Sequence, residues 1–450
     1  MRRLPDGFRL GAATAAYQIE GAVSEDGRGR SIWDTFSETP GAVLGGDTGA
    51  VACDHYHRVD QDLDLAARIG LHDYRFSIAW SRVLPSGAGA VNPAGLDFYS
   101  RLVDGVLARG IRPVVTLYHW DLPQALQDVG GWTARDTSAR FADYAALVAG
   151  ALGDRVEVFT TLNEPWCSAF LGHASGAHAP GVQDAATAYE VAHHLLLAHG
   201  LAVPALRSTL PAGRQVSITL NTVNTRPASD SAEDRRAARD AELAQNQVFL
   251  EPLLTGQLHP ELVERTKLVT DWGFVHDGDL RAIRAPLDFL GINYYNPHLV
   301  SASRVDGAQA WPGVADAWVV PEPAPVTGMG WPVRPETFTE MLVALDADYP
   351  GTTFVITENG AAYPDTVTAE GVADDDRVAY LRGHLGAVLD AVDAGVDVRG
   401  YYAWSLLDNF EWAWGYSQRF GLIHVDYATQ ERRLKRSAEV YADIIGAHAL

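Results

Sequence analysis

A chain of 450 residues can hold two or three average domains, or one α/β barrel with long loops; 47% hydrophobic and 20% charged residues are ordinary for a globular protein with a large core. The balance of 35 basic against 57 acidic residues, formally −22, argues against nucleic-acid and anionic-membrane partners and disfavours highly anionic substrates. Two cysteines, Cys53 and Cys167, are too few for a disulfide scaffold and too far apart for a CxxC motif, and no stretch approaches the roughly 18 uncharged apolar residues of a membrane span. With no apolar run suited to a leader before Gln18 and Glu20, the expected compartment is the cytoplasm.

In chain order, residues 8–14 (FRLGAAT) read as a first strand whose extension becomes polar at Gln18 and Glu20. A loop rich in glycine and charge covers residues 27–49, and HRVDQDLDLAARIG (57–70) has apolar positions near helical spacing before the C-cap Gly70. Strand two is DYRFSIAW (73–80), residues 94–110 form an amphipathic helix, and IRPVVTLYHW (111–120) is strand three, ending in His119 and Trp120. A helix over 138–152 leads to VEVFTTLNEPW (156–166), an apolar β run that ends in Asn163 and Glu164 and is broken by Pro165.

Residues 185–207 predict a long helix, QVSITLN (215–221) strand five, 231–250 a helix, and LDFLGINYY (287–295) strand six with Asn293 and Tyr295 on one side at period two. Residues 301–333, with Trp311 and Trp331, lack periodicity and read as a long functional wall. After a helix over 335–348, TFVITENG (353–360) repeats the pattern of strand four: a β-branched run delivers Glu358 to its C-terminal end and Asn359-Gly360 stops it. A helix over 377–395, strand eight (398–407), an aromatic-rich loop and a helix near 437–445 complete the chain.

Eight strands alternating with helices, without a separating linker, predict an α/β fold: a single-domain (β/α)8 TIM barrel with elaborated βα loops spanning 1–450. In such a barrel the polar strand ends meet on one face, so Gln18, Arg75, His119, Asn163, Glu164, Asn293, Tyr295, Glu358 and Trp404 converge. Two glutamates at strand ends are the pair that glycosidic bond cleavage requires, although a single buried Glu, His or Arg has an ordinary structural reading. His55, His57, His193 and His194 match no strong zinc spacing, no phosphate-cradling glycine loop is present, and neither metal nor cofactor is expected.

The motifs FRLGAATAAYQIEGA, YRFSIAWSR, LYHWDLP, TLNEP, INYY, ITENG and WSLLDNFEW, in this order through nearly the whole chain, resemble glycoside hydrolase family 1, the β-glucosidase family. The resemblance implies a retaining enzyme in which Glu164 is the acid/base and Glu358 the nucleophile, with Arg75, Asn293 and Tyr295 supporting them. It further implies that Gln18, His119, Trp120, Asn163, Glu411, Trp412 and Phe420 hold the non-reducing sugar, that Trp404 is the platform beneath it, and that Trp331 lies on the aglycone side. Amides, imidazole and carboxylate suit the hydroxyl rim of a sugar, and indole suits its C–H face. The implied partners are β-glucosides and cello-oligosaccharides, with galactosides and fucosides as further substrates and the oligomeric state open. Within the family, phospho-glycosidases carry a smaller residue at the position of Glu411; a catalytically dead sugar-binding barrel is disfavoured by the presence of both glutamates.

Overall fold

The computed structural model describes residues 2–369 and 371–450. Eight parallel strands close a barrel: β1 (Arg9–Ala13), β2 (Asp73–Ser77), β3 (Arg112–Tyr118), β4 (Val158–Asn163), β5 (Gln215–Asn221), β6 (Phe289–Asn293), β7 (Phe354–Asn359) and β8 (Val398–Trp404). Each strand pairs with its neighbours in sequence and β1 closes on β8, with Ala13 opposite both Trp404 and Arg75. The strands are buried on both faces, which is why they read as continuous β-branched and aromatic runs and not as alternating ones.

The long helices of the sequence reading occupy Pro93–Ala108, Asp136–Leu152, Ala185–Thr209, Pro335–Asp348 and Asp375–Asp393. The helix Pro93–Ala108 buries Phe98, Tyr99, Leu102, Val103 and Val106, the stripe that 3.6-residue periodicity places against a sheet. The N-terminal end of the barrel is closed by a polar knot. There Asp73, wholly buried, accepts from Arg9 Nε at 2.7 Å, Arg112 Nη2 at 2.7 Å and Tyr402 Oη at 2.8 Å.

Several segments differ from the sequence reading: the extension of the first strand is a short helix, Ala16–Ile19, and strand two stops at Ser77, before the helix Trp80–Val83. Residues 27–49 are not all loop: Ile32–Ser37 is a helix whose start is fixed by a capping box between Ser31 and Asp34. Residues 301–333 are not without structure, because Gln309–Ala310 pairs with Trp318–Val319, which pairs with His298–Ser301, in a small sheet that also takes Thr225–Pro227. Strands of two residues are too short for alternation to register. Trp311 accordingly is no wall residue; it is buried with Ala237, Ala241 and Val300 under that sheet. The helix expected over 231–250 is instead Ala232–Glu242, a π-helical turn Leu243–Gln247, and Val248–Leu254.

Both strands that end in glutamate are irregular near their ends. The register between β4 and β5 shifts between Thr160 and Asn163, and that between β7 and β6 between Ile356 and Glu358. Such bulges turn a side chain out of the pleat and occur beside active sites. Gly360 follows from the same crowding: a Cβ there would meet the Trp404 carbonyl oxygen at 1.8 Å, so the chain leaving β7 can pass β8 only as glycine.

Candidate active site

Glu358, at the end of β7, is buried and held at both oxygens. Arg75 Nη1, from β2, donates to Oε1 at 2.6 Å, and the Tyr295 hydroxyl, just beyond β6, donates to Oε2 at 2.7 Å. Arg75 is itself fixed by a second bond, from Nη2 to Asn163 Oδ1 at 2.7 Å. Glu164, beyond the end of β4, has no cation bonded to it among the described residues; its Oε1 accepts from Asn293 Nδ2 at 2.6 Å and its Oε2 from the Cys167 thiol at 3.2 Å. Asn293 is oriented by the Thr357 hydroxyl, which donates to its Oδ1 at 2.8 Å, and its amide donates to Asn163 Oδ1 at 3.1 Å as well as to Glu164.

These surroundings separate the two acids. Burial raises the proton affinity of both, and the Glu358 charge raises Glu164 further. Arg75 and the Tyr295 hydroxyl pull Glu358 back toward the ionised form, whereas Glu164 is bonded to an amide and a thiol and feels the Arg75 charge more weakly than either bond. Of the pair, Glu164 is therefore the one that keeps a proton and Glu358 the one that is charged. A third acid, Glu411, donor-poor apart from Gln18 Nε2 at 3.5 Å, is pushed up to about 8, first by burial and then by the nearby Glu358 charge.

Around these acids stand groups with hydrogen-bonding capacity to spare. Gln18 Nε2 donates to Asn409 Oδ1 and the Phe410 carbonyl, while its Oε1 is buried without a partner among the described residues. His119 Nε2 accepts from Asn163 Nδ2 at 3.0 Å, leaving Nδ1 buried and unpartnered among the described residues; burial and the nearby Arg75 charge hold the imidazole neutral. Trp120 Nε1 donates to the Asn163 carbonyl at 2.9 Å. The rings of Trp404 and Trp412 lie nearly parallel to His119, at 5.9 and 6.0 Å. On the other side Trp331, Tyr295 and Phe420 form a cluster with centroids 5.4 to 6.2 Å apart. Thus, of the fourteen side chains singled out in the sequence, Arg75 comes from the middle of β2 and the others lie at C-terminal strand ends or in the loops that follow them, and bonds or ring contacts link each to another of the set.

Trp120, Glu164 and Trp412 also share a backbone feature, φ of 75°, 45° and 49°, the left-handed region that residues other than glycine seldom occupy. Sequence reasoning missed Asn409, Thr357 and Cys167, which touch Gln18, Asn293 and Glu164. Asn409 stood inside the quoted motif WSLLDNFEW, but nothing in the sequence told it from its neighbours. The histidines weighed as metal ligands are each engaged locally: His55 with Asp62, His57 with Asp54, His193 with Asp279, His194 with the Trp132 carbonyl. Asp365, Asp408 and His424 do converge. Their carboxylates are already met by Lys435 at 2.7 Å, Arg419 at 2.6 Å and Arg377 at 3.1 Å, so that cluster is a neutralised ion network.

With this arrangement in view, comparison with known proteins gives a consistent result. The model of glycosyl hydrolase family 1 matches residues 1–450. The chain belongs to that family. Within family 1 it is 51% identical to a bifunctional β-D-glucosidase/β-D-fucosidase of Bifidobacterium breve, over 99% of this chain and 98% of that one. It is 44% identical to a 1,4-β-D-glucan glucohydrolase of Thermotoga neapolitana, with both chains covered in full. Among solved structures, the psychrophilic β-glucosidase of Micrococcus antarcticus superposes with a TM-score of 0.96 at 46% identity, over 99% of this chain and 98% of that one. As a family 1 member the protein is a glycoside hydrolase on a TIM barrel, and no helix among its described residues is long and apolar enough to cross a membrane.

Proposed function

We propose that the chain, acting as one catalytic domain, hydrolyses terminal non-reducing β-D-glucosyl residues by double displacement with retention of configuration. The observation that carries this reading is the asymmetry of the two buried glutamates: Glu358 bonded to a guanidinium and a phenol, Glu164 to an amide and a thiol. In the first step the Glu358 carboxylate attacks the anomeric carbon. The glycosidic C–O bond breaks, and the Glu164 proton passes to the departing oxygen. In the second, Glu164 takes a proton from water, the water oxygen bonds to the anomeric carbon, and Glu358 leaves as carboxylate. This mechanism needs carboxyls about 5 Å apart, and the two are tied through Arg75, Asn163 and Asn293 by bonds of 2.6, 2.7, 3.1 and 2.6 Å.

Gln18, His119, Trp120, Asn163, Glu411 and Trp412 are assigned to the sugar hydroxyls, Trp404 to its apolar face, Phe420 to the pocket wall and Trp331 to the aglycone side. The unpartnered Gln18 Oε1 and His119 Nδ1 support this, since buried polar atoms are otherwise satisfied. Cello-oligosaccharides are proposed as natural substrates and fucosides as further ones, in line with the relatives named above. The two free buried cysteines support a reducing compartment such as the cytoplasm.

A 6-phosphorylated sugar is disfavoured. Glu411 would face the phosphate, and the cation in its loop, Arg419, is already bonded to Asp408 at 2.6 Å. Proton NMR of the first-formed product tests the mechanism: the β-anomer should appear first, and initial α-anomer would refute it.

A further inference from the structure

We infer that Cys167 is a positioning residue for Glu164: its thiol, steered by the Asn221 amide, fixes the carboxyl in the orientation from which the proton is delivered to the leaving oxygen. This rests on the assignment of Glu164 as acid/base. A glutamate carboxyl turns broadly about its terminal torsion, so one hydrogen bond does not define its plane. Here each oxygen has a different donor, Asn293 Nδ2 at 2.6 Å on Oε1 and Cys167 Sγ at 3.2 Å on Oε2. The thiol is oriented in turn, because Asn221 Nδ2, at the end of β5, donates to Sγ at 3.6 Å and leaves the S–H to point at the carboxyl. The backbone sets the spacing. Cys167 N donates to the Glu164 carbonyl at 3.0 Å, and a π-helical segment, Cys167–Ser175, begins at that residue.

Burial, with the nearby Glu358 charge, keeps the thiol protonated, hence a donor and not a thiolate. A thiol is also a weak donor. It can orient the carboxyl while favouring the ionised form only slightly, so Glu164 keeps its proton. That feature predicts an order. Serine, a stronger donor, should lower the proton affinity of Glu164, and alanine, no donor, should raise it. The alkaline limb of kcat/KM should therefore move to lower pH in Cys167→Ser and to higher pH in Cys167→Ala.

The experiment measures pH profiles of both variants and of Asn221→Ala on cellobiose and on 2,4-dinitrophenyl β-glucoside, whose leaving group needs no acid, with Glu164→Ala as reference. Cys167→Ala should lose about tenfold on cellobiose, part of the roughly 10²–10⁴-fold that general acid catalysis supplies. It should stay within about threefold on the dinitrophenyl substrate, with Cys167→Ser close to the parent on both below its alkaline limb. Asn221→Ala should shift in the direction of alanine at 167 but less. Limbs that coincide in all variants, or equal losses on the two substrates, would reduce Cys167 to a packing residue. If Glu164→Ala itself fails to discriminate between the substrates, the acid/base assignment falls instead.

Discussion

Tyr295→Phe deletes one hydroxyl and leaves the ring. The phenylalanine would keep its place against Trp331 and Phe420, whose centroids lie 5.4 and 6.2 Å away, so the cluster that walls the pocket should persist. What disappears is the 2.7 Å bond to Glu358 Oε2; the 2.6 Å bond from Arg75 to the other oxygen remains. A hydrogen bond to a charged group is worth about 1.5–3 kcal/mol. At about 1.36 kcal/mol per unit, its loss raises the proton affinity of Glu358 by roughly one to two pH units. The sign follows from the role. Glu358 works ionised, a lost donor disfavours that form, and so the acidic limb of kcat/KM moves to higher pH. Because the limbs belong to the coupled pair, both are to be fitted, with the larger movement on the acidic side. The assay is kcat/KM for nitrophenyl β-glucoside across the acid range in buffers of constant ionic strength. An acidic limb that stays put while the plateau drops, or that moves to lower pH, would show that Tyr295 does not hold the ionised nucleophile.

Removing either catalytic glutamate should give opposite products with azide. Glu358→Ala, nearly inactive on every glycoside, should yield the α-glycosyl azide, and Glu164→Ala, still able to cleave a dinitrophenyl glucoside, the β-azide; exchanged anomers would reverse the roles. Nitrophenyl β-glucoside 6-phosphate should be turned over far less efficiently than the unphosphorylated substrate in the same buffer, and comparable kcat/KM would overturn the reading of Glu411. Lys435→Met removes the cation shared by Asp408 and Asp365, leaving each with one guanidinium, from Arg419 and Arg377, and should lower stability by up to about 3 kcal/mol, read in a denaturant or thermal melt, with an unchanged midpoint counting against the ion network as a structural tie.

What the sequence disclosed and what it withheld divide along physical lines. Barrel strands were legible because burial on both faces leaves a run such as FVIT or VFTTL that no other element resembles, and the glutamates because each such run stops at a turn signal. The helix Ile32–Ser37 escaped despite its S-x-x-D start, since six residues give no periodicity to see. Trp311 was misplaced because nothing local distinguishes an indole that roofs a small core from one that walls a pocket. The ion network joining Asp365, Arg377, Asp408, Arg419 and Lys435 was invisible for the opposite reason: charged residues scattered over 71 positions look like surface until the fold buries them together. The contacts of Cys167 and Thr357 with site residues belong to the same kind. The chemistry of each is ordinary, and only its neighbour makes it informative.

The left-handed backbone at Trp120, Glu164 and Trp412 implies a conflict between durability and activity. A non-glycine residue held in a sparsely populated conformation costs on the order of 1–3 kcal/mol, and glycine is the usual relief. At these positions glycine would remove an indole or a carboxyl assigned to the substrate. Selection for heat resistance alone should thus find substitutions here attractive, and selection for turnover should reject them. Libraries sorted first for stability and only afterwards for hydrolysis will tend to lose this pocket before they lose the barrel.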